Sequence, residues 1–119
     1  MKNLNEKVIA ITGAGSGIGR SLAVQFANYG SHLSLSDIDE NGLIETKDLI
    51  QNKVNVTTKI VDVADREQVY AWAEDTIKAH QYVDCIINNA GVASVANIED
   101  ITYEDFDWVF NIVFYGVLY

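Results

Sequence analysis

Thr12 to Gly19 (TGAGSGIG) lies directly between a short apolar run and a segment with helical spacing. Backbone N–H groups in the first turn of a helix have no partner within it, and the helix dipole favours an anion there. Glycines let the chain turn sharply into that position. They also let a pyrophosphate approach the backbone with no Cβ in the way. The order of the glycines assigns Gly13 to the turn, Gly17 to the close approach and Gly19 to the packing of helix on strand, with Ser16 and Ile18 between them in the same binding loop. An ordinary tight turn is the alternative, but four glycines in seven residues weaken a helix start for no structural gain. No Gly-Lys-Ser/Thr closes the loop, which excludes a P-loop. The strict G-x-G-x-x-G spacing also fails, because its third glycine would fall on Ile18; the pattern is Thr-Gly-x-x-x-Gly-x-Gly.

The elements that must hold this loop follow from periodicity. Lys7 to Thr12 (KVIAIT) is β-branched and nearly all apolar, as expected of a strand buried on both faces. Gly17 to Tyr29 reads as a helix with Ile18, Leu22, Ala23, Phe26 and Ala27 on one face. A strand at Ser31 to Ser36, a helix at Asp39 to Asn52 and a strand at Val54 to Val61 come next. Asp65 to His80 is an amphipathic helix with Val69, Trp72, Ala73, Thr76 and Ile77 on one face. Val83 to Asn88 is a fourth strand, Ala90 to Ile101 a loop, and Thr102 opens a last helix, where Thr102 and Asp105 have capping-box spacing. Strands joined by helices require βαβ crossovers and a parallel sheet, doubly wound in the order 3-2-1-4.

Composition excludes several classes. The 119 residues form one domain at most. With 8 Lys and Arg against 17 Asp and Glu, the net charge of −9 leaves no basic patch for nucleic acid. No apolar run is long enough to span a membrane, and the first residues lack a signal-peptide stretch, so cytoplasm is the expected location. The single Cys85 allows no internal disulfide and reads as a small core residue. His32 and His80 read as surface or element-end residues, and with one cysteine they make no zinc set.

The glycine spacing resembles that of the short-chain dehydrogenase/reductase family, and two further motifs extend the likeness. Asn88-Asn89-Ala90-Gly91, ending the fourth strand, is similar to the family's NNAG motif. Asp62-Val63, after the third strand, is similar to its adenine-binding pair. The resemblance runs from about Lys7 to Tyr119. It implies a Rossmann-type fold, a nicotinamide dinucleotide and hydride transfer between an alcohol and a carbonyl. Asp62 would accept from the adenine amino group while the Val63 backbone meets the ring, and Asp65 would cap the following helix. Asn89, Ala90 and Gly91 would line the nicotinamide-side ribose, and Asn88 would tie strands together through its amide, with Thr12 as its partner.

Asp37 ends the second strand, 24 residues after Gly13. A carboxylate there can accept hydrogen bonds from both ribose hydroxyls of the adenosine and repels a 2′-phosphate. Such repulsion at ~4 Å costs on the order of 1–4 kcal/mol. Its neighbour Ile38 belongs to the same end of the site, and Ser16 is neutral where family members that use NADP often carry a basic residue. NAD is therefore expected over NADP. A strand-end or capping role is the alternative for Asp37, although Asp39 fits the cap of the next helix better.

The family's catalytic serine and Tyr-x-x-x-Lys do not occur here: none of the six tyrosines has a lysine four residues on. The expectation is the N-terminal, dinucleotide-binding half of such an enzyme, incomplete relative to the family and inactive alone. Gly116 also sets the register of a family segment whose asparagine position is here Val113; Asn111 lies two residues early, about 200° around a helix. A non-catalytic dinucleotide-binding or interaction module is the second reading. A Rossmann-like methyltransferase is the third, and the Asn-Asn-Ala-Gly motif counts against it. From Trp108 to Tyr119 only Asn111 and Gly116 are not hydrophobic. A helix apolar all round must be covered on every side. One face would lie on the sheet, and a homo-oligomer through this helix or the fourth-strand edge is expected, with coverage by further chain as the alternative.

Overall fold

The computed structural model describes residues 3–51 and 53–119. Four apolar residues followed by Thr12 give β1 (Val8–Thr12), buried along its whole length. It is followed by α1 (Gly17–Asn28), β2 (His32–Asp37), α2 (Glu40–Ile50), β3 (Val56–Ile60), α3 (Arg66–His80) and β4 (Cys85–Ile87). The expected end of α2 at Asn52 lies outside the described residues. All strand pairs are parallel, and the sheet order is β3-β2-β1-β4. Right-handed crossovers therefore place helices on both faces.

Alternation along the strands divides the core in two. Ile9, Ile11, Leu33 and Leu35 face one way and pack with Ala23 and Ala27 of α1 and Leu43 and Ile50 of α2. Ala10 points the other way, into a cluster with Val61, Val63 and Trp72. Small residues on this second face make room for the indole, and Ser34, fully buried in β2, accepts the Trp72 Nε1–H at 2.9 Å. Ser34 Oγ and Thr76 Oγ1 are 2.7 Å apart, and Thr76 returns to the Trp72 carbonyl at 2.8 Å. Every polar group of this buried trio is satisfied, which avoids the roughly 1–3 kcal/mol cost of an orphan.

Three expectations are corrected. Ile18 is 73% exposed: it lies in the first turn of α1, beyond the end of β1, so the core face of α1 begins only at Gly19. Ala73 and Ile77 of α3 are likewise exposed, because the helix reaches the core through Trp72 and Thr76, with Val69 packed partly buried beside them. The fourth strand is three residues long, not six. Just before it, the Asp84 N–H donates to the Val8 carbonyl at 2.9 Å, while the Val8 N–H is taken by the Asp84 carboxylate, also at 2.9 Å, in place of a backbone carbonyl. Cys85, in this short edge strand, is only half-buried against the first cluster.

The segment after β4 is irregular to Thr102, whose hydroxyl and Asp105 form the expected capping box. The last helix is not continuous. It runs as α4 (Tyr103–Phe110), a π-helical stretch (Asn111–Tyr115) and a final turn, α5 (Gly116–Leu118). The register slips where the Gly116 N–H reaches the Asn111 carbonyl, five residues back. The family's asparagine position, Val113, lies inside this stretch, so the interruption forms without an amide side chain there. The expectation that one face of this helix lies on the sheet holds only at one crossing. Gly116 is buried against Val63, where a Cβ would come within 2.8 Å of Cγ2, and Ile112 packs beside it.

Candidate functional site

The C-terminal ends of the four strands meet an open cleft of about 360 Å³. This is the crevice where open parallel sheets bind ligands. One wall is the glycine loop. Gly13 and Gly17 both have positive φ, +66° and +53°, a conformation that L side chains rarely adopt. A Cβ on Gly17 would meet nothing within 4 Å, so the backbone there is open to the cleft. Three helices have bonded caps: Asp39 caps α2, Asp65 caps α3 and Thr102 caps α4. Ser16, at the head of α1, makes no such bond. The first N–H groups of α1 thus remain unclaimed by a cap, beside Gly17 and Ile18 in the cleft wall.

The loop itself is fixed from behind. Gly19 leaves no room for a side chain, since a Cβ would overlap the Gly13 carbonyl and crowd the Asn89 amide. Gly19 therefore holds helix to strand and, alone among the twelve anticipated binding residues, does not line the cleft. The Ala14 N–H donates to the Ser36 carbonyl at 3.0 Å, and the Gly15 N–H to Asp37 Oδ2 at 2.8 Å. The other Asp37 oxygen, Oδ1, accepts the Asp39 N–H at 3.0 Å. Both carboxylate oxygens are oriented by backbone donors, and each retains a second acceptor position.

Ile38, 70% exposed, continues the rim from Asp37. Asp62 and Val63, which follow the neighbouring strand β3, line the same cleft. Asp62 Oδ1 accepts the Ala64 N–H at 2.9 Å, its N–H donates to Gln68 Oε1 at 2.8 Å, and Asp65 accepts from Glu67 and Gln68. The cap of α3 is thus Asp65, and Asp62 Oδ2 has no hydrogen-bond partner among the described residues.

Asn89 takes the tying part expected of Asn88 in addition to its own place at the cleft. Asn89, not Asn88, ties β4 to β1. Its Nδ2 donates to the carbonyls of Thr12 and Gly13, both at 3.2 Å, while the N–H groups of Asn89 and Ala90 converge on Thr12 Oγ1 at 3.0 Å. The chain leaves β4 at Ile87, so it is residue 89 that turns back over the glycine loop. Asn88 is exposed and points to the opposite side, toward α3 and α5. Asn89, Ala90 and Gly91 still line the cleft, with Asn89 giving its amide to the loop. Three lining residues escaped the sequence: Val61, Val92 and Ile112. They are plain aliphatics whose only signal was adjacency to a motif, or, for Ile112, none at all. Among the described residues, no group of three or more His, Cys, Asp or Glu side chains could hold a metal ion. No helix there is long and apolar enough to cross a membrane.

Four parallel strands in the order 3-2-1-4, with a glycine-turned helix start at their C-terminal ends, define a Rossmann-type fold. Residues 7–119 match the family model for short chain dehydrogenases, and the chain belongs to that family of oxidoreductases. A levodione reductase of Leifsonia aquatica is 37% identical over 116 residues, which are 94% of this chain and 43% of that protein. Among solved structures, a short-chain dehydrogenase/reductase of Burkholderia phymatum in complex with NAD superposes with a TM-score of 0.94 at 36% identity, covering 99% of this chain and 42% of that one. A 3-ketoacyl-(acyl-carrier-protein) reductase of Brucella melitensis complexed with NADH gives 0.91 at 31% identity, with 98% and 48% covered. The chain thus spans about two fifths of the length of the curated relatives it matches.

Proposed function

We propose that residues 1–119 are one dinucleotide-binding unit of an oxidoreductase that moves hydride between an alcohol and a carbonyl carbon, and that the unit prefers NAD to NADP. The uncapped N-terminus of α1, opening on the cleft at Gly17, is the observation that carries this reading. Bound there, the dinucleotide would supply the hydride acceptor. The backbone of Ser16, Gly17 and Ile18 holds the pyrophosphate at the positive end of the helix dipole. Asp37 takes the adenosine ribose hydroxyls, with Ile38 against the base. Asp62 and Val63 bind the adenine edge. Asn89, Ala90 and Gly91 border the nicotinamide-side ribose, while Gly13 makes the turn and Gly19 fixes the helix behind it. The relatives solved with NAD and NADH support the cofactor class.

A general acid must reach the reacting oxygen with a matched pKa. No Tyr-x-x-x-Lys is present in the 119 residues. These residues alone therefore bind the dinucleotide and do not turn over substrate. Calorimetric titration of the purified chain with NAD and with NADP tests the reading. Binding of NAD in preference to NADP is the expected result; tighter NADP binding, or none of either, refutes it. NADH absorbance followed over a panel of alcohols should stay at buffer rates.

A further inference from the structure

We propose that Arg20 is a positioning residue for the adenosine end of the cofactor: its guanidinium holds Gly15, and through Gly15 the Asp37 carboxylate, in the orientation that tells a free 2′-hydroxyl from a 2′-phosphate. The proposal rests on the dinucleotide reading above.

Ala14 and Gly15 differ from the rest of the loop in having all four of their backbone polar groups bonded within the protein. Their N–H groups go to the Ser36 carbonyl and to Asp37. Their carbonyls are taken from the other side. Thr46 Oγ1, fully buried, donates to the Ala14 carbonyl at 2.8 Å. Arg20 Nη2 donates to the Gly15 carbonyl at 2.5 Å. The same guanidinium reaches the Gly42 carbonyl at 3.2 Å, Thr46 Oγ1 at 3.0 Å through Nε, and Glu45 Oε2 at 2.9 Å. One planar fork thus joins α1, α2 and the loop, a geometry that a lysine ammonium does not reproduce.

Two absent side chains keep this arrangement tight. A Cβ on Gly42 would come within 2.5 Å of the Gly15 carbonyl oxygen, so α2 lies directly against the loop. A Cβ on Gly15 would lie 2.8 Å from Asp37 Oδ2, so the Gly15 N–H can reach that oxygen only because the residue is bare. Gly15 is pinned at its carbonyl by Arg20 and at its N–H by Asp37. Asp37 in turn has two fixing donors, Gly15 and Asp39. Without the fork, the Gly15 carbonyl has no partner, the loop relaxes, and the carboxylate loses one of those donors. A carboxylate free to swing binds two ribose hydroxyls less well and repels a 2′-phosphate less consistently. NAD is weakened and NADP is not, so the ratio between them falls. A residue that merely supported the fold would weaken both alike.

The test uses the chain with Arg20→Lys, Thr46→Val and Thr46→Ser. Titration calorimetry reads the ratio of the NADP to the NAD dissociation constant. Arg20→Lys should lower it about tenfold, the loss of one charge-assisted hydrogen bond. Thr46→Val should lower it in the same direction, and Thr46→Ser, which keeps the hydroxyl, should leave it in place. A second readout needs no cofactor: amide exchange at Gly15 should quicken in Arg20→Lys and Thr46→Val and stay slow in Thr46→Ser. An unchanged ratio in Arg20→Lys, an equal rise of both constants, or unchanged Gly15 exchange overturns the role of Arg20. A native chain that binds neither dinucleotide overturns the reading on which the proposal rests, and with it the assignment to cofactor binding.

Discussion

In the proposed function, Asp37 is the residue that sets cofactor choice. Its two oxygens are held by the Gly15 and Asp39 amides, so the charge is in place before any ligand arrives. Removing that charge removes a repulsion on the order of 1–4 kcal/mol. Asp37→Ala is therefore expected to narrow the difference between NAD and NADP in a calorimetric titration, by weakening the first and strengthening the second. Gly19 acts in another way. A methyl group there would overlap the Gly13 carbonyl and displace Asn89, so Gly19→Ala should cost stability by overpacking, on the order of 1–3 kcal/mol, in a urea unfolding series. The glycine roles were legible because each is a steric demand tied to chain position. The tying role of Asn89 rather than Asn88 was not, because which of two adjacent amides turns inward depends on the residue at which β4 ends.

The Thr102 backbone and hydroxyl hold the Asp105 carboxyl below its ordinary range. Thr102→Ala removes the hydroxyl that accepts the Asp105 N–H. It should cost about 1 kcal/mol of helix stability, read as faster amide exchange at Phe106, whose N–H begins the helix ladder. His80 lies at the end of α3 with Nε2 2.9 Å from Thr57 Oγ1. Burial, and then the neighbouring His32, hold its pKa below the usual 6.5. The folded state thus binds the proton more weakly than the unfolded chain does. Its contribution is complete above pH 6.5 and is lost as pH falls from there through the lower folded value. The melting temperature should decline over that window, and His80→Gln should flatten the decline. Periodicity revealed both helices. It did not reveal the π-helical stretch at Asn111–Tyr115, because a one-residue slip in the ladder leaves the apolar pattern unchanged.

The molecule as a whole carries more surface than its size requires. Its accessible area is 7650 Å², against about 6,400 Å² for a compact monomer of this mass. Its radius of gyration is 15.1 Å, against about 13.5 Å from chain length. Much of this surface belongs to the last helical segment, where Trp108, Phe110, Phe114 and Leu118 are each about half exposed or more, and to the β4 edge, where Ile86 is 53% exposed. Exposed apolar faces and unpaired edges of this kind favour association. Sedimentation equilibrium at micromolar concentration is expected to give a mass above 13.2 kDa. Val109→Glu combined with Phe114→Glu should return it to that of the monomer, whereas a monomeric native chain would contradict the expectation.

The order of strands and helices, the parallel sheet and the position of the glycine loop were all readable from 119 letters. Each follows from local period, from the short reach of βαβ connections and from the handedness of crossovers, which leave few arrangements open. Asp37 was readable as a cleft acid because the ends of parallel strands converge by construction, whereas Asp62 came from the resemblance of Asp62-Val63 to a family motif. Contacts between distant segments were another matter. The Trp72 indole seated on Ser34, the Arg20 fork reaching Gly42 and Thr46, and the approach of Gly116 to Val63 join residues 22 to 53 positions apart. No periodicity encodes them. They depend on how α2, α3 and the last helical segment settle on the sheet, where side-chain volume and unpaired polar groups select among packings that share one pattern.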